Sequence, residues 1–284
     1  MSSDRGPGAA VTPRRCGVIG DPIAHSLSPV LHRAAYAANG LAWEYDAHRV
    51  AADGLPEFVA RLDATWRGLS LTMPLKRTAP ALAAEVSGRA LLVGAANTLI
   101  LQGGAVVLAD NTDLPGAVAA VRERYDGPVT AGTVLGGGAT AAATGLALCE
   151  LGASTVTLLV RSPERAAEAL TAIARHPSGP RVEVGSLAGD PVSGEVVVST
   201  IPAEAQDPDL VARCSDVLVV FDVVYDPWPT PLAASATDRV LVGGLDLLVH
   251  QAALQFELFT GLAGPLAVMR EAGEAALAAR RAAR

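Results

Sequence analysis

Val134 to Ala141 (V-L-G-G-G-A-T-A) constrains the fold more than any other stretch of this 284-residue chain. A strand from Thr133 to Leu135 runs into three glycines and then into an alanine-rich run that predicts a helix to about Leu151. Gly136, Gly138 and Ala141 fit the G-x-G-x-x-[GA] pattern of a dinucleotide-binding turn. The first glycine permits the tight turn, the second lets a pyrophosphate approach the backbone, and the small third residue lets helix and strand pack closely. The helix N-terminus then faces the phosphate. Glycine-rich turns are common, so the context decides: a strand before, a helix after, and a further strand about 20 residues on. All three are present.

The tip of that further strand selects the nucleotide. An acidic residue there would bind a ribose 2′-hydroxyl, whereas arginine accommodates a 2′-phosphate. The chain reads L-L-V-R-S-P-E-R from Leu158 to Arg165, with no acid at the tip and Arg161 and Arg165 one helical turn apart. NADP is the expected cofactor. The candidate cofactor-binding residues are Gly136, Gly137, Gly138, Ala139, Ala141, Arg161, Ser162 and Arg165, with Thr200 and Gly244 further along.

The rest of the chain alternates strand and helix. Strands are expected at Arg15–Ile19, Trp43–Val50 and Gly68–Met73, with helices at Ser28–Asn39, capped by Ser28, and Gly54–Trp66. Leu91–Leu108 is expected to hold two short strands around Asn97-Thr98 and the Gly103-Gly104 turn, and a helix starts at Asn111-Thr112-Asp113 and runs to about Tyr125. After the glycine loop come strands at Val156–Val160, Val182–Val184, Val196–Ser199 and Leu218–Asp222, a helix at Pro163–Arg175, and helical segments from Gly243-Gly244 to Arg280. This is the pattern of two α/β units with a helical tail. Periodicity does not say on which unit the tail packs.

Composition narrows the function classes. Half the residues are hydrophobic, enough for two cores without disulfides or metal. Two uncharged stretches, 90–109 and 127–149, are broken by glycine and carry Thr, Asn or Gln, so no membrane span is expected. Residues 1–15 lack the apolar run of a signal peptide and read as a disordered lead-in. The net charge of −7 argues against non-specific nucleic-acid binding. Cys16, Cys149 and Cys214 form neither a disulfide framework nor a zinc spacing, which fits a cytoplasmic protein with reduced thiols and no metal. The basic residues number 22, and a single one is lysine, Lys76. Arginine stays protonated up to about pH 12, whereas lysine gives up its proton when its surroundings favour it. A lone lysine in an arginine-rich chain is a candidate for acid–base work.

Four segments outside the glycine loop carry polar residues that packing alone does not require. These are G-D-P-I-A-H-S-L-S-P (20–29), S-L-T-M-P-L-K (70–76), A-A-N-T-L (95–99) and D-N-T-D (110–113). Singly, each has a plain structural use: Ser28 or Asp113 as a helix cap, Asn97 as a turn residue. Together with the glycine loop and G-L-D-L-L-V-H-Q-A (244–252), in this order, they resemble shikimate dehydrogenase, with the D-P-W-P-T-P-L and S-T-I-P stretches similar to actinobacterial members. The resemblance spans nearly all of the chain after residue 15.

The resemblance implies a two-domain α/β fold. An N-terminal substrate domain (1–112 and 245–284) would pair with a Rossmann-type NADP domain (113–244), the C-terminal helices returning to the first. It implies Lys76 and Asp113 as the catalytic pair, Ser26 and Ser28 on the substrate carboxylate, and Thr72, Asn97, Gln251 and, nearby, Tyr225 around the ring. Ser70 stands where the family commonly has asparagine, so a ring-hydroxyl contact is lost, made through water or changed in preference. Leu114-Pro115 replaces a common glycine, which the first turn of a helix tolerates. Glu164, between the two arginines, would weaken a 2′-phosphate site. The implied reaction is NADPH-dependent reduction of 3-dehydroshikimate to shikimate by a monomer or homodimer. Quinate or aminoshikimate as substrate, a folate-linked dehydrogenase of similar layout, and a non-catalytic NADP-binding sensor remain as alternatives. A sensor has no use for the lysine–aspartate pair, and paired serines suit a carboxylate better than a pterin.

Overall fold

The computed structural model of the protein describes residues 13–283. Its first unit contains β1 (Arg14–Gly20), α1 (Ser28–Ala38), β2 (Trp43–Arg49), α2 (Leu55–Ala60) and β3 (Trp66–Leu71). It continues through β4 (Glu85–Val86), α3 (Gly88–Val93), β5 (Thr98–Gln102) and β6 (Ala105–Asp110). Then α4 (Asp113–Arg124) leads into β7 (Ala131–Leu135), α5 (Ala139–Glu150), β8 (Thr155–Val160), α6 (Pro163–Ala174) and β9 (Arg181–Ser186). The second unit ends with β10 (Val196–Ser199), α7 (Pro208–Arg213), β11 (Val219–Asp222), α8 (Pro231–Ala234) and β12 (Val240–Val242). The tail is α9 (Gly244–Thr260) and α10 (Leu266–Ala282).

The second unit is a parallel sheet in the order β12-β11-β10-β7-β8-β9. Counted within the unit this is 6-5-4-1-2-3, the doubly wound order, and it reverses between β7 and β10. The crevice beyond the strand ends at such a reversal is where dinucleotides bind. Val134, Leu158 and Val198 bury on one face, and Leu135, Leu159 and Val197 on the other, as strands covered by helices on both sides must.

The first unit has a mixed sheet, β2-β1-β3-β5-β6-β4, in which β5 runs antiparallel to β3 and β6. Strand alternation sends Leu69, Leu71 and Leu99 into a core with Ile19 and Trp66. Ser70 and Thr98, paired across β3 and β5, face the opposite side, where α9 lies. The tail packs there: Val249, Phe256, Phe259 and Met269 join Val18, Leu31, Tyr36 and Tyr45 in a second core. Gly68 makes room, since a Cβ there would lie 2.1 Å from the Phe259 ring. Helix α4 packs against both α5 and α9 and so touches both units.

Several expected boundaries change. The helix expected over Gly54–Trp66 covers only Leu55–Ala60, and Trp66 begins β3. Asp63 ends it: its carboxylate accepts the Thr65 N–H at 2.9 Å, a side-chain turn that competes with helix hydrogen bonding. Helix α3, not foreseen, is bounded by Ser87, whose Oγ accepts the Ala90 N–H at 3.1 Å, and by Gly94 at φ +69°. Ser28 is not the cap of α1; Leu27 holds that position and Ser28 is the first helical residue. Arg14 and Arg15 belong to β1, and the remainder of the lead-in, residues 1–12, lies outside the described residues. Among the described residues no helix is long and apolar enough to cross a membrane.

Candidate active site

Two cavities open between the units. The larger, about 520 Å³, covers the glycine loop and the start of α5. Gly136 has φ +118°, a conformation that L side chains rarely adopt, and a Cβ there would lie 2.3 Å from Thr200 Oγ1. Gly137 abuts Ala166 of α6, while a Cβ on Gly138 would meet nothing within 4 Å. The middle of the loop is thus open backbone at the N-terminus of a helix that has no side-chain cap. Ala139 and Ala141 both line the cavity, Ala141 with no exposed surface. Thr200, Arg161, Ser162 and Arg165 complete the wall.

Arg161 and Arg165 are exposed and have no ion-pair partner among the described residues. Glu164 does not occupy them: its carboxylate accepts the Ser162 hydroxyl at 2.6 Å, which holds it below the usual carboxylate range. Open amides at a helix start and two free guanidinium groups fit a pyrophosphate and a 2′-phosphate. Arg77, missed in the sequence, also lines this cavity and reaches across it to Glu168 on α6 at 2.5 Å.

The smaller cavity, about 260 Å³, gathers Ser26, Ser28, Ser70, Thr72, Lys76, Asn97, Asp113, Tyr225 and Gln251, the whole set expected around the substrate. Gly244, expected on the cofactor side, lines this cavity and not the larger one. It opens α9 directly against β11's end, where a Cβ would lie 2.4 Å from the Val223 carbonyl oxygen. Thr140 and Gln255 also line the wall and were not anticipated. Thr140 was legible as the position after Ala139 in the glycine turn; Gln255 carries no local signal. Thr72, Lys76 and Thr140 line both cavities and mark their junction.

Lys76 projects from a single turn (Leu75–Arg77) anchored by fully buried Leu75 and tied to the Asn97 segment by the Ala96 N–H on the Lys76 carbonyl, 2.8 Å. Its Nζ lies 2.7 Å from Asp113 Oδ2, both side chains being mostly buried. Asn111 frees Asp113 for this contact. Its Oδ1 accepts the Asp113 and Leu114 amides at 3.1 and 3.2 Å, so the Asp113 carboxylate is not spent as a cap. Asn97 holds the other oxygen, with Nδ2 at 2.8 Å from Asp113 Oδ1. The Asn97 orientation is fixed because its Oδ1 faces the Thr112 backbone N–H, a group that only donates, at 2.8 Å. Gln251 contributes Oε1 at 3.3 Å from Asn97 Nδ2, its own Nε2 donating to the Leu248 carbonyl at 2.9 Å.

Asp110, the first residue of D-N-T-D, is structural. Burial would raise its carboxyl, but hydrogen bonds from Arg89 and Ser87 hold it below the usual range. Ser26 Oγ accepts the Ser28 N–H at 3.3 Å at the uncapped start of α1, a place suited to a carboxylate. The Tyr225 hydroxyl lies 3.5 Å from the His25 carbonyl, closing the mouth beside these serines.

Residues 18–99 match the model of the shikimate dehydrogenase substrate binding domain, and 244–272 that of the shikimate 5′-dehydrogenase C-terminal domain. The chain is 36% identical to an NADP⁺ shikimate dehydrogenase of Symbiobacterium thermophilum, over 97% of each chain. Among solved structures, shikimate dehydrogenase from Mycobacterium tuberculosis superposes with a TM-score of 0.82 at 39% identity, covering 93% of this chain and 100% of that one. The Thermus thermophilus enzyme in complex with NADP(H) and shikimate gives 0.77 at 31%, covering 93% and 99%. The two matched segments supply most of the smaller cavity's wall, and the likeness runs through the glycine loop between them, so the chain belongs to the shikimate dehydrogenase family.

Proposed function

We propose that this protein reduces 3-dehydroshikimate to shikimate reversibly with NADPH. The observation that carries this reading is the Lys76–Asp113 pair at the junction of the two cavities. Bound NADPH supplies the hydride. As the ketone oxygen gains negative charge, the Lys76 ammonium donates a proton to it, and in the reverse direction the same amine accepts one. Asp113, held by Asn97, aims Lys76 at the junction. Ser26 and Ser28 take the substrate carboxylate at the start of α1, and Thr72, Asn97, Gln251, Ser70 and Tyr225 surround the ring. On the nucleotide side, Gly136 to Ala141 carry the pyrophosphate, with Thr200 behind the loop, and Arg161, Arg165 and Ser162 the 2′-phosphate end.

Residues 1–112 with 245–284 form the substrate domain in this reading, and 113–244 the NADP domain. The protein works in the cytoplasm on a small molecule, as a monomer or homodimer, without a nucleic-acid partner.

The test is turnover of shikimate, quinate and aminoshikimate, each with NADP and NAD, followed by nicotinamide absorbance, with Lys76→Ala as control. Shikimate with NADP should be the preferred pair, and Lys76→Ala should lose about 10²–10⁴-fold in kcat, the usual contribution of a positioned general acid. Preference for quinate or aminoshikimate would move the substrate while keeping the mechanism. Binding of NADPH without turnover of any of them would overturn the enzymatic reading.

A further inference from the structure

We infer that Gln255 sets the direction of the Ser70 hydroxyl, so that the ring pocket offers only an acceptor there and selects a substrate bearing a hydrogen-bond donor, a hydroxyl or an amine, at that place. The inference rests on the reading of the smaller cavity as a ring pocket, and it names which ring groups the pocket admits.

The argument begins with two backbone groups whose roles cannot change. The Asn97 carbonyl only accepts, and Gln255 Nε2 lies 3.1 Å from it. The amide nitrogen must face it, so Gln255 Oε1 points the other way, to Ser70 Oγ at 2.6 Å. An amide oxygen only accepts, so Ser70 donates its one proton to Gln255. Tyr45 OH lies 2.6 Å from the same Ser70 oxygen and therefore donates to it. The second fixed group is the Thr112 N–H on Asn97 Oδ1. Thr98 Oγ1 also donates to that oxygen, at 2.8 Å, and in turn accepts from Gln255 Nε2 at 2.9 Å. The protons along Tyr45, Ser70, Gln255, Thr98 and Asn97 are thereby ordered.

A serine hydroxyl has one proton and two lone pairs. Ser70 has given its proton to Gln255 and one lone pair to Tyr45, and its last lone pair is what it can present to the cavity it lines. Ser70, Tyr45 and Gln255 are all buried, so no bulk solvent reorients them. An asparagine side chain at this position would carry a donor as well as an acceptor, and the serine does not. The network reaches Ser70 from α9, far along the chain, which makes Gln255 a positioning residue for specificity.

The experiment uses shikimate analogues in which each ring hydroxyl not undergoing oxidation is replaced in turn by fluorine, which has no proton to donate. For the hydroxyl that faces Ser70, fluorine should lower kcat/KM about tenfold or more in the wild-type enzyme, the scale of one buried hydrogen bond. In Ser70→Ala that penalty should fall to within about twofold. Gln255→Met, which fills similar space, should raise KM for shikimate about tenfold with kcat nearly unchanged, and should shrink the fluorine penalty because the freed hydroxyl can turn and donate. Equal penalties in wild type and Ser70→Ala for every analogue, or a penalty untouched by Gln255→Met, would overturn the inference. Failure of shikimate itself as a substrate counts against the assigned reaction instead. The proton order is then still read directly, by neutron diffraction of the deuterated protein. Deuterons between Ser70 and Gln255 and between Tyr45 and Ser70 are expected, and a Ser70 deuteron pointing into the cavity refutes it.

Discussion

His32 has no exposed surface, stacks on Tyr45 with ring centroids 4.2 Å apart and planes 5° apart, and has neither ring nitrogen bonded among the described residues. Burial drives its pKa down to about 3 from an ordinary 6.5. The unfolded chain therefore binds a proton on this ring between those values while the folded chain does not. Stability from this group is complete above pH 6.5 and is lost as pH falls toward 3, at up to roughly 1.4 kcal/mol per pH unit. Urea midpoints taken from pH 7 to 4.5 should fall steadily in the wild type, and His32→Phe should flatten that slope. A slope unchanged by the substitution would place the acid sensitivity elsewhere. Lys76 was legible at this scale from the sequence because scarcity singled it out, and Asp113 and Asn97 because short motifs carried them. His32 and Gln255 were not, because their roles come from the tail helix and the sheet meeting in space.

Close approach governs the next scale. Gly116 on α4 lets α9 lie against it: a Cβ there would come within 2.9 Å of the Gln251 Cβ and 3.0 Å of its backbone nitrogen. Gly116→Ala must push α9 outward. The expected cost is about 1–3 kcal/mol, as for other overpacked contacts, together with a raised KM for shikimate because Gln251 travels with the helix. Thermal unfolding and steady-state kinetics on the same sample test both parts, and a stable variant with normal KM would mean the helices have slack. At the β8–α6 turn, Arg161→Ala with Arg165→Ala should raise KM for NADPH about 10- to 100-fold and leave that for NADH nearly unchanged, removing two charge-assisted contacts. Equal losses with both nucleotides would take the 2′-phosphate away from these arginines. Elements with strong periodicity and clear stops, β10 and α6 among them, were readable from the sequence to within a residue. The stretch after Ala60 was not, since a hydrophobic pattern continued through Trp66 while Asp63 and Thr65 closed a turn of their own. Helix α3 was hidden in the same way, its length too short for periodicity to register.

The whole molecule is two sheets joined by helices that belong to both. Helix α4 packs on α5 and on α9, and Arg77 reaches Glu168 across the nucleotide cleft. That ion pair is a weak tether, because the Glu168 side chain is 66% exposed and such pairs contribute between nothing and about 1 kcal/mol. Glu168→Ala should accordingly leave the unfolding midpoint within a degree or two of wild type, whereas Phe256→Ala, at a fully buried site in the tail, should cost about 3–5 kcal/mol. Parallel melts of the two variants check the contrast. The return of α9 to the first sheet also sets an order in time. A polypeptide leaves the ribosome N-terminus first, so Lys76 and Asp113 are synthesised long before Gln251 and Gln255. The nucleotide unit is contiguous and has all of its strands once β12 emerges. The smaller cavity waits for α9, so a nascent chain can form the glycine-loop wall of the larger cavity before the smaller one exists.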